Sequence, residues 1–345
     1  MKVKAAILVE QNKPLIIDDV TFPERLNYGQ VLVRVFCSGI CGSQIGEIDG
    51  IKGPDKFLPH LLGHEGGGIV ESIGPGVTKV KKGDHVVMHW RKGIGIDSET
   101  PKYKWDNKIV NAGWLTTFNE YAIVSENRLT AIPKEIDFET AALLGCAVTT
   151  GFGIVNNNAK LKIGESVAVF GVGSVGINII QGALLVSAYP IIAIDLYDHK
   201  LEQAKKFGAT HLINASKEDV TAKILKIVGS SGVDVAIDNT GNPKVIELAY
   251  DITSASGRTI LVGVVDKCSK VSLYTLPLHF EKKFFGSHGG ECFPTIDIPN
   301  YLKLIIKGKA KVKEMITHRV SLSNVNHAIN EMKKGNIGKC VIEIS

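Results

Sequence analysis

The chain is short of the features that mark several protein classes. Only six cysteines occur in 345 residues. They are too few and too scattered for a disulfide scaffold, so a reducing, cytoplasmic location is expected. No apolar signal core with a cleavage site follows the opening Met-Lys-Val-Lys-Ala, and a secretory leader is therefore not expected. The formal net charge is only +5, with lysines scattered as on solvated faces. Without a long basic patch or an aromatic-interleaved RNA motif, a nucleic-acid partner is not expected. Charge is absent altogether from residues 167–194, a length that would suit a membrane span. Four glycines, Asn178, Gln181 and Pro190 break that run into strand, turn, helix and strand, so no membrane association is expected either.

What remains reads as a soluble enzyme-sized chain. Apolar residues make up 44% and charged residues 22%, a globular balance, and the length favours two domains over one. The first 135 residues are mainly β in pattern. Short apolar runs at 5–9, 30–36, 68–73, 84–89 and 119–124 are separated by glycine and proline turns, which predicts a compact barrel-like domain. At Asp137 the texture changes to an N-cap followed by good helix formers, leading into Cys146. Strand and helix patterns then alternate from 166 to 265, the signature of a doubly wound parallel sheet. The tail predicts helices at 298–307 and 325–333 and a last strand at 340–344.

Within the alternating part, Gly171-Val-Gly-Ser-Val-Gly176 lies between an apolar strand and a helix. Gly171 permits the tight turn, Gly173 lets backbone approach a pyrophosphate, and Gly176 lets helix and strand pack closely; Val175 lies in the same loop. The helix start offers free N–H groups and a positive dipole end to phosphate. The next strand ends at Asp195, an acid placed to accept hydrogen bonds from an adenosine ribose and to repel a 2′-phosphate. NAD is therefore expected rather than NADP.

Cys41, His64 and Cys146 form the other half of the signal. Two thiolates and an imidazole suit zinc and leave a fourth position open for water or substrate. Their segments, Gly39-Ile-Cys41-Gly-Ser43, Gly63-His64-Glu65-Gly66 and Leu144-Gly-Cys146-Ala-Val-Thr-Thr150-Gly, resemble the zinc-dependent alcohol dehydrogenases of the medium-chain dehydrogenase/reductase family. The resemblance covers essentially the whole chain. It implies an α/β protein with a GroES-like β-rich catalytic domain at 1–147, completed by 290–345, and a Rossmann domain at 148–289.

By resemblance, Cys41, His64 and Cys146 are the catalytic-zinc ligands, and Glu65 is an acid that approaches the metal. Ser43 is the hydroxyl that hydrogen-bonds the bound alcohol. Thr150, Val262 and Val264 fall near the nicotinamide, Lys200 near the adenosine ribose and Lys339 near the pyrophosphate. Three departures stand out. Residues 88–114 contain no cysteine, so the family's second, structural zinc is expected to be absent and one ion per chain is expected. Gln44 stands where an aspartate commonly braces the zinc histidine. Gly46 stands at the usual relay histidine, which leaves water or Glu47 to take the proton.

The expected reaction is hydride exchange between NAD and an alcohol, a polyol or sugar-like molecule included, giving an aldehyde or ketone. The alternatives are a zinc-free quinone or enone reductase, which would lack the Cys/His/Cys set, and a non-catalytic NAD-binding protein, free to lose Ser43. The resemblance also implies a homodimer or homotetramer, with residues 270–276 as the candidate Rossmann-sheet edge.

Overall fold

The computed structural model describes residues 1–344. The chain divides into two compact units. The first comprises residues 1–147, 293–308 and the described part of 312–345; the second comprises 148–292 and 309–311.

The first unit is built on β structure. Strands Lys2–Leu8, Ile16–Thr21, Lys102–Trp105, Lys108–Asn111 and His60–Leu61 close into a barrel. A larger sheet runs in the order Leu129–Ile132, His85–His89, Glu65–Ile73, Gln30–Gly39, Lys339–Glu343 and Ile316–Ser321, with Tyr121–Ser125 also paired to Gln30–Gly39. The long strand Gln30–Gly39 is the hinge of the sequence logic. It pairs antiparallel with Glu65–Ile73 and with the chain's last strand, which brings Cys41, His64 and the C-terminal tail into one neighbourhood. Its inward valines join Phe118, Val86 and Met88 in one core.

Strands Ile16–Thr21, His60–Leu61, Lys102–Trp105, Lys108–Asn111, Leu129–Ile132 and Ile316–Ser321 and the helix Gly42–Ile48 lie outside the sequence expectations. Lys-Tyr-Lys-Trp and Lys-Ile-Val-Asn form a hairpin across residues 106–107. Tyr103 turns inward, is 1% exposed and stacks on Phe22 with ring centroids 4.0 Å apart. The alternation of lysine with aromatic is a period-two signal that is legible once the turn is recognised. The helix Gly42–Ile48 was not expected because glycines at 42 and 46 disfavour it; the fold supplies it through a cap described below.

Helix Phe138–Leu144 begins as expected, with the Asp137 carboxylate accepting from the Thr140 amide at 2.9 Å. Residues Thr140 to Leu144 are all buried in it, so it is a core helix rather than an amphipathic one. No single helix among the described residues is long and apolar enough to cross a membrane.

The second unit is a six-stranded, all-parallel sheet. Its order is His211–Asn214, Ile191–Asp195, Val167–Phe170, Val233–Asp238, Thr253–Leu261 and Lys283–Gly286. That is the doubly wound order 3-2-1-4-5-6. The continuous apolar runs of its central strands follow from burial on both faces; Val167, Ala168, Val169, Ile192 and Ala236 have no exposed surface. Residues 270–276 do not form the edge strand. They carry no sheet pairing, and Lys283–Gly286 takes that place.

Candidate metal and dinucleotide sites

In the first unit, strand pairing and a glycine-bearing turn bring three donors together. Cys41 follows the end of strand Gln30–Gly39, and His64 immediately precedes strand Glu65–Ile73. Cys146 follows the core helix. One ligand atom from each lies within 4.8 Å of the others. The three are buried or half-buried, and His64 Nε2 has no hydrogen-bond partner although it is out of solvent. A buried, unsatisfied imidazole nitrogen beside two sulfurs is costly unless an electrophile completes it. Zinc, which takes sulfur and nitrogen donors tetrahedrally, fits this set.

The electrostatics of the bare site point the same way. The Cys146 thiol hydrogen-bonds Cys41, and the nearby His64 charge adds to it, so Cys41 is held well below the ordinary thiol range despite burial. Cys146, keeping the shared proton against the Cys41 charge, is raised. Burial opposes charge on His64, but the neighbouring Cys41 thiolate more than offsets it and the imidazole is raised. Ser43, in the first turn of Gly42–Ile48, places its hydroxyl 3.5 Å from Cys41 Sγ.

Glu65 is adjacent to the set but outside it. Its carboxylate forms an ion pair with Lys339 and accepts from the Ala147 amide at 3.3 Å. Both partners are essentially unexposed. Glu65 therefore stands behind the donors as a brace for the Cys146 turn rather than as a fourth donor. A side chain at Gly39 would place its Cβ 2.4 Å from Glu65 Oε1, so only glycine leaves room for the pair. Lys339, expected at the pyrophosphate, is 3% exposed. Its ammonium is occupied by Glu65 and by the Ile40 carbonyl at 3.2 Å. A lysine so buried takes the nearest counter-charge.

Gln44 likewise differs from expectation. Its Oε1 accepts from the Cys41 amide at 2.9 Å and caps the helix, while Nε2 is buried without a partner. It orients the Cys41 backbone, and no hydrogen bond to His64 occurs among the described residues. Glu47 turns toward His60, with a carboxylate oxygen 3.9 Å from Nε2. His60 also bonds Asp55 at 2.8 Å and the Leu61 carbonyl at 2.8 Å. These contacts satisfy the cluster from within.

In the second unit the cofactor candidates gather at the carboxyl ends of the parallel strands, where open α/β sheets bind ligands. Gly171 ends Val167–Phe170 with φ +81°. A Cβ on Gly176 would lie 2.2 Å from the Gly171 carbonyl oxygen, so the third glycine permits the close helix–strand packing. Nothing lies within 4 Å of a Cβ built on Gly173, and that open space faces the start of helix Ser174–Leu185, which includes Val175. This is room for a phosphate. Asp195 Oδ2 accepts from the Val172 amide at 2.9 Å, and Oδ1 accepts from Leu196 and Tyr197. The carboxylate thus ties the glycine turn to the next strand end.

Lys200 lays its ammonium over the Tyr197 ring, 4.9 Å from the centroid. Thr150 is buried in Ala147–Gly153, Val262 follows the end of Thr253–Leu261, and Val264 is 60% exposed. Asp238 and Asn239 were missed by sequence reasoning. Asp238 is buried, with its carboxyl pushed up by desolvation, and it accepts from Thr240 and Gly241. Asn239 donates to the Phe170 carbonyl at 3.2 Å, and its Oδ1 is buried without a partner. A polar pair ending an otherwise apolar strand was the available signal.

Comparison with known proteins covers both units. Residues 27–134 match the alcohol dehydrogenase GroES-like domain, and residues 174–307 match the zinc-binding dehydrogenase domain. An S-(hydroxymethyl)glutathione dehydrogenase of Candida maltosa is 32% identical over 99% of this chain and 97% of its own. The chain belongs to the zinc-type alcohol dehydrogenases of the medium-chain dehydrogenase/reductase family.

A class-3 alcohol dehydrogenase of Cereibacter sphaeroides is 31% identical over 99% of this chain and 100% of its own. Benzyl alcohol dehydrogenase of Acinetobacter calcoaceticus superposes with a TM-score of 0.90 at 27% identity, covering both chains completely. As a zinc-type alcohol dehydrogenase the protein is an oxidoreductase that uses zinc and NAD to interconvert an alcohol and its aldehyde or ketone. Nothing favours a quinone reductase or a non-catalytic binder.

Proposed function

We propose that Cys41, His64 and Cys146 hold a single zinc ion and that Gly171, Gly173, Val175, Gly176 and Asp195 hold NAD. The observation that carries the reading is the convergence of two sulfurs with a buried, unsatisfied His64 nitrogen. When bound, the metal acts as a Lewis acid on the substrate oxygen and the nicotinamide exchanges hydride.

The chain's own groups do the rest. Ser43 Oγ accepts a hydrogen bond from the substrate hydroxyl and hands a proton outward. Gly46 supplies no acid or base at the next position, so the proton leaves to water. The Glu65–Lys339 pair fixes the Ala147 amide and thereby the Cys146 turn, and the Lys339 ammonium offsets thiolate charge from behind. Asp195 recognises the adenosine ribose and repels a 2′-phosphate, supported by Lys200. Thr150, Val262 and Val264 flank the nicotinamide.

Substrates are small alcohols, with polyols and sugar-like molecules the first to try. The protein acts in the cytoplasm, a reading supported by its six free cysteines. It assembles as a homodimer or homotetramer, supported by exposed Tyr274, Leu276 and Phe280 beyond the sheet.

The test is metal analysis and NAD reduction over an alcohol panel. One zinc per chain is expected in the wild type and none in His64→Ala, with activity lost. Ser43→Ala is expected to keep its zinc while kcat falls roughly 10²–10⁴-fold. Full activity in a folded, zinc-free His64→Ala enzyme would refute the assignment.

A further inference from the structure

Glu47, Asp55 and His60 form a second group of metal-binding side chains, one that the proposed chemistry leaves unused. One ligand atom from each lies within 4.8 Å of the others. All three belong to the first unit. Glu47 stands in helix Gly42–Ile48, Asp55 in the loop after it, and His60 opens strand His60–Leu61. His60 is 6% exposed, whereas Glu47 keeps 40% of its side chain in solvent.

The geometry around His60 fixes where its protons lie. The Leu61 carbonyl, 2.8 Å from Nδ1, can only accept, so Nδ1 carries a proton. Nε2 then faces Asp55 Oδ2 at 2.8 Å and Glu47 Oε1 at 3.9 Å. Three electron-rich atoms meeting there hold together only around a cation, either a second ring proton or a metal ion. The proton serves Asp55 but stops short of Glu47, and it leaves two carboxylates against one positive charge. Among the described residues, no lysine or arginine forms an ion pair with either acid; each pairs with His60.

A divalent cation fits better on both counts, since it balances both carboxylates and reaches all three donors. Donors sharing a tetrahedral zinc at about 2.1 Å are about 3.4 Å apart, and 2.8 Å and 3.9 Å fall on either side of that edge. The surroundings also hold the donors as a metal site needs. An Nδ1 proton given to a backbone carbonyl is the common outer contact of a metal-binding histidine. Asp55 uses Oδ1 to accept from the Phe57 amide at 2.7 Å, which leaves Oδ2 for the site. Gln11 accepts from the Asp55 amide and donates to the Gly53 and Glu47 carbonyls.

We propose that Glu47, Asp55 and His60 bind a divalent transition-metal ion, apart from the Cys41, His64 and Cys146 set. An imidazole with two carboxylates suits zinc-like ions rather than calcium or magnesium, which take oxygen ligands. With no thiolate and with Glu47 partly in solvent, the ion is exchangeable, so one tightly held zinc per chain remains the count. It links the helix that follows Cys41 to the strand that precedes His64. The site does not rest on the dehydrogenase reading.

The test is equilibrium dialysis of the zinc-loaded chain against added zinc, followed by metal analysis and thermal melts. Wild type is expected to take up one further zinc saturably and to lose it on dialysis against zinc-free buffer. Its melting midpoint is expected to rise by several degrees while the ion is bound. Glu47→Gln is expected to weaken the uptake at least about tenfold and to remove the rise in midpoint. His60→Gln is expected to take up no further zinc.

No saturable uptake beyond the first zinc overturns the proposal. Uptake of equal affinity in Glu47→Gln means zinc adhering elsewhere on the surface, and it overturns the proposal too. Glu47 is half-exposed, so that variant decides the matter even where His60→Gln does not fold. If the Cys41, His64 and Cys146 set holds no zinc, the dehydrogenase reading fails separately. The count then rises from none to one, with the same dependence on Glu47.

Discussion

At the scale of single residues, the metal unit depends on a few polar groups whose partners are fixed by burial. His89 is an instructive case. It is 1% exposed, its Nδ1 donates to the Arg91 carbonyl at 2.7 Å and its Nε2 accepts from the Thr130 hydroxyl at 2.9 Å. Both nitrogens are satisfied by the neutral ring, and burial pushes its pKa down to about 4. The unfolded chain takes up a proton near pH 6.5, whereas the folded chain does so only near 4. The neutral His89 therefore stabilises the fold fully above pH 6.5. That contribution declines as pH falls toward 4, by about 3 kcal/mol in all. Denaturant titrations of wild type and His89→Gln between pH 7.5 and 4.5 check this. The stability gap is expected to narrow with acidity, and a constant gap would show that His89 does not carry the effect.

At the scale of elements, the glycine turn of the second unit couples a strand, a helix and a ligand space. Gly176→Val would drive its Cβ into the Gly171 carbonyl, 2.2 Å away in the unaltered backbone. The helix Ser174–Leu185 must then move off the sheet. Overpacking of this kind costs about 1–3 kcal/mol, and the displaced turn is expected to weaken NAD binding at least tenfold. Calorimetric NAD affinity read beside the thermal midpoint separates the two effects; unchanged NAD affinity would show that the turn is not the pyrophosphate seat. The same region shows how far sequence reading reached. The turn, its helix and the acid at Asp195 were legible because glycine spacing and apolar runs are local signals. Asn239 was not legible, since its role comes from the pairing of Val167–Phe170 with Val233–Asp238, a contact between segments distant in sequence.

At the scale of the whole molecule, residues 88–114, which contain no cysteine, are held by contacts within the protein. Glu126 accepts from the Ile96 amide inside it and from the Thr78 and Lys79 amides before it, and the Tyr103–Phe22 stack anchors the hairpin within it. Removing the metal with a chelator is therefore expected to abolish activity while far-UV circular dichroism and a single cooperative unfolding transition persist. Collapse of the first unit on chelation would show that a metal supports the fold. The sequence by itself determined the two kinds of unit, the family, the three donors and the dinucleotide turn, because periodicity, glycine spacing and ligand type are written along the chain. Only tertiary structure decided that Lys339 pairs with Glu65, that Gln44 caps a helix, and that residues 270–276 form no strand. Each of those outcomes depends on which buried charge or unsatisfied polar atom finds the nearest partner, and that partner is set by strand pairing across the fold rather than by neighbours along the chain.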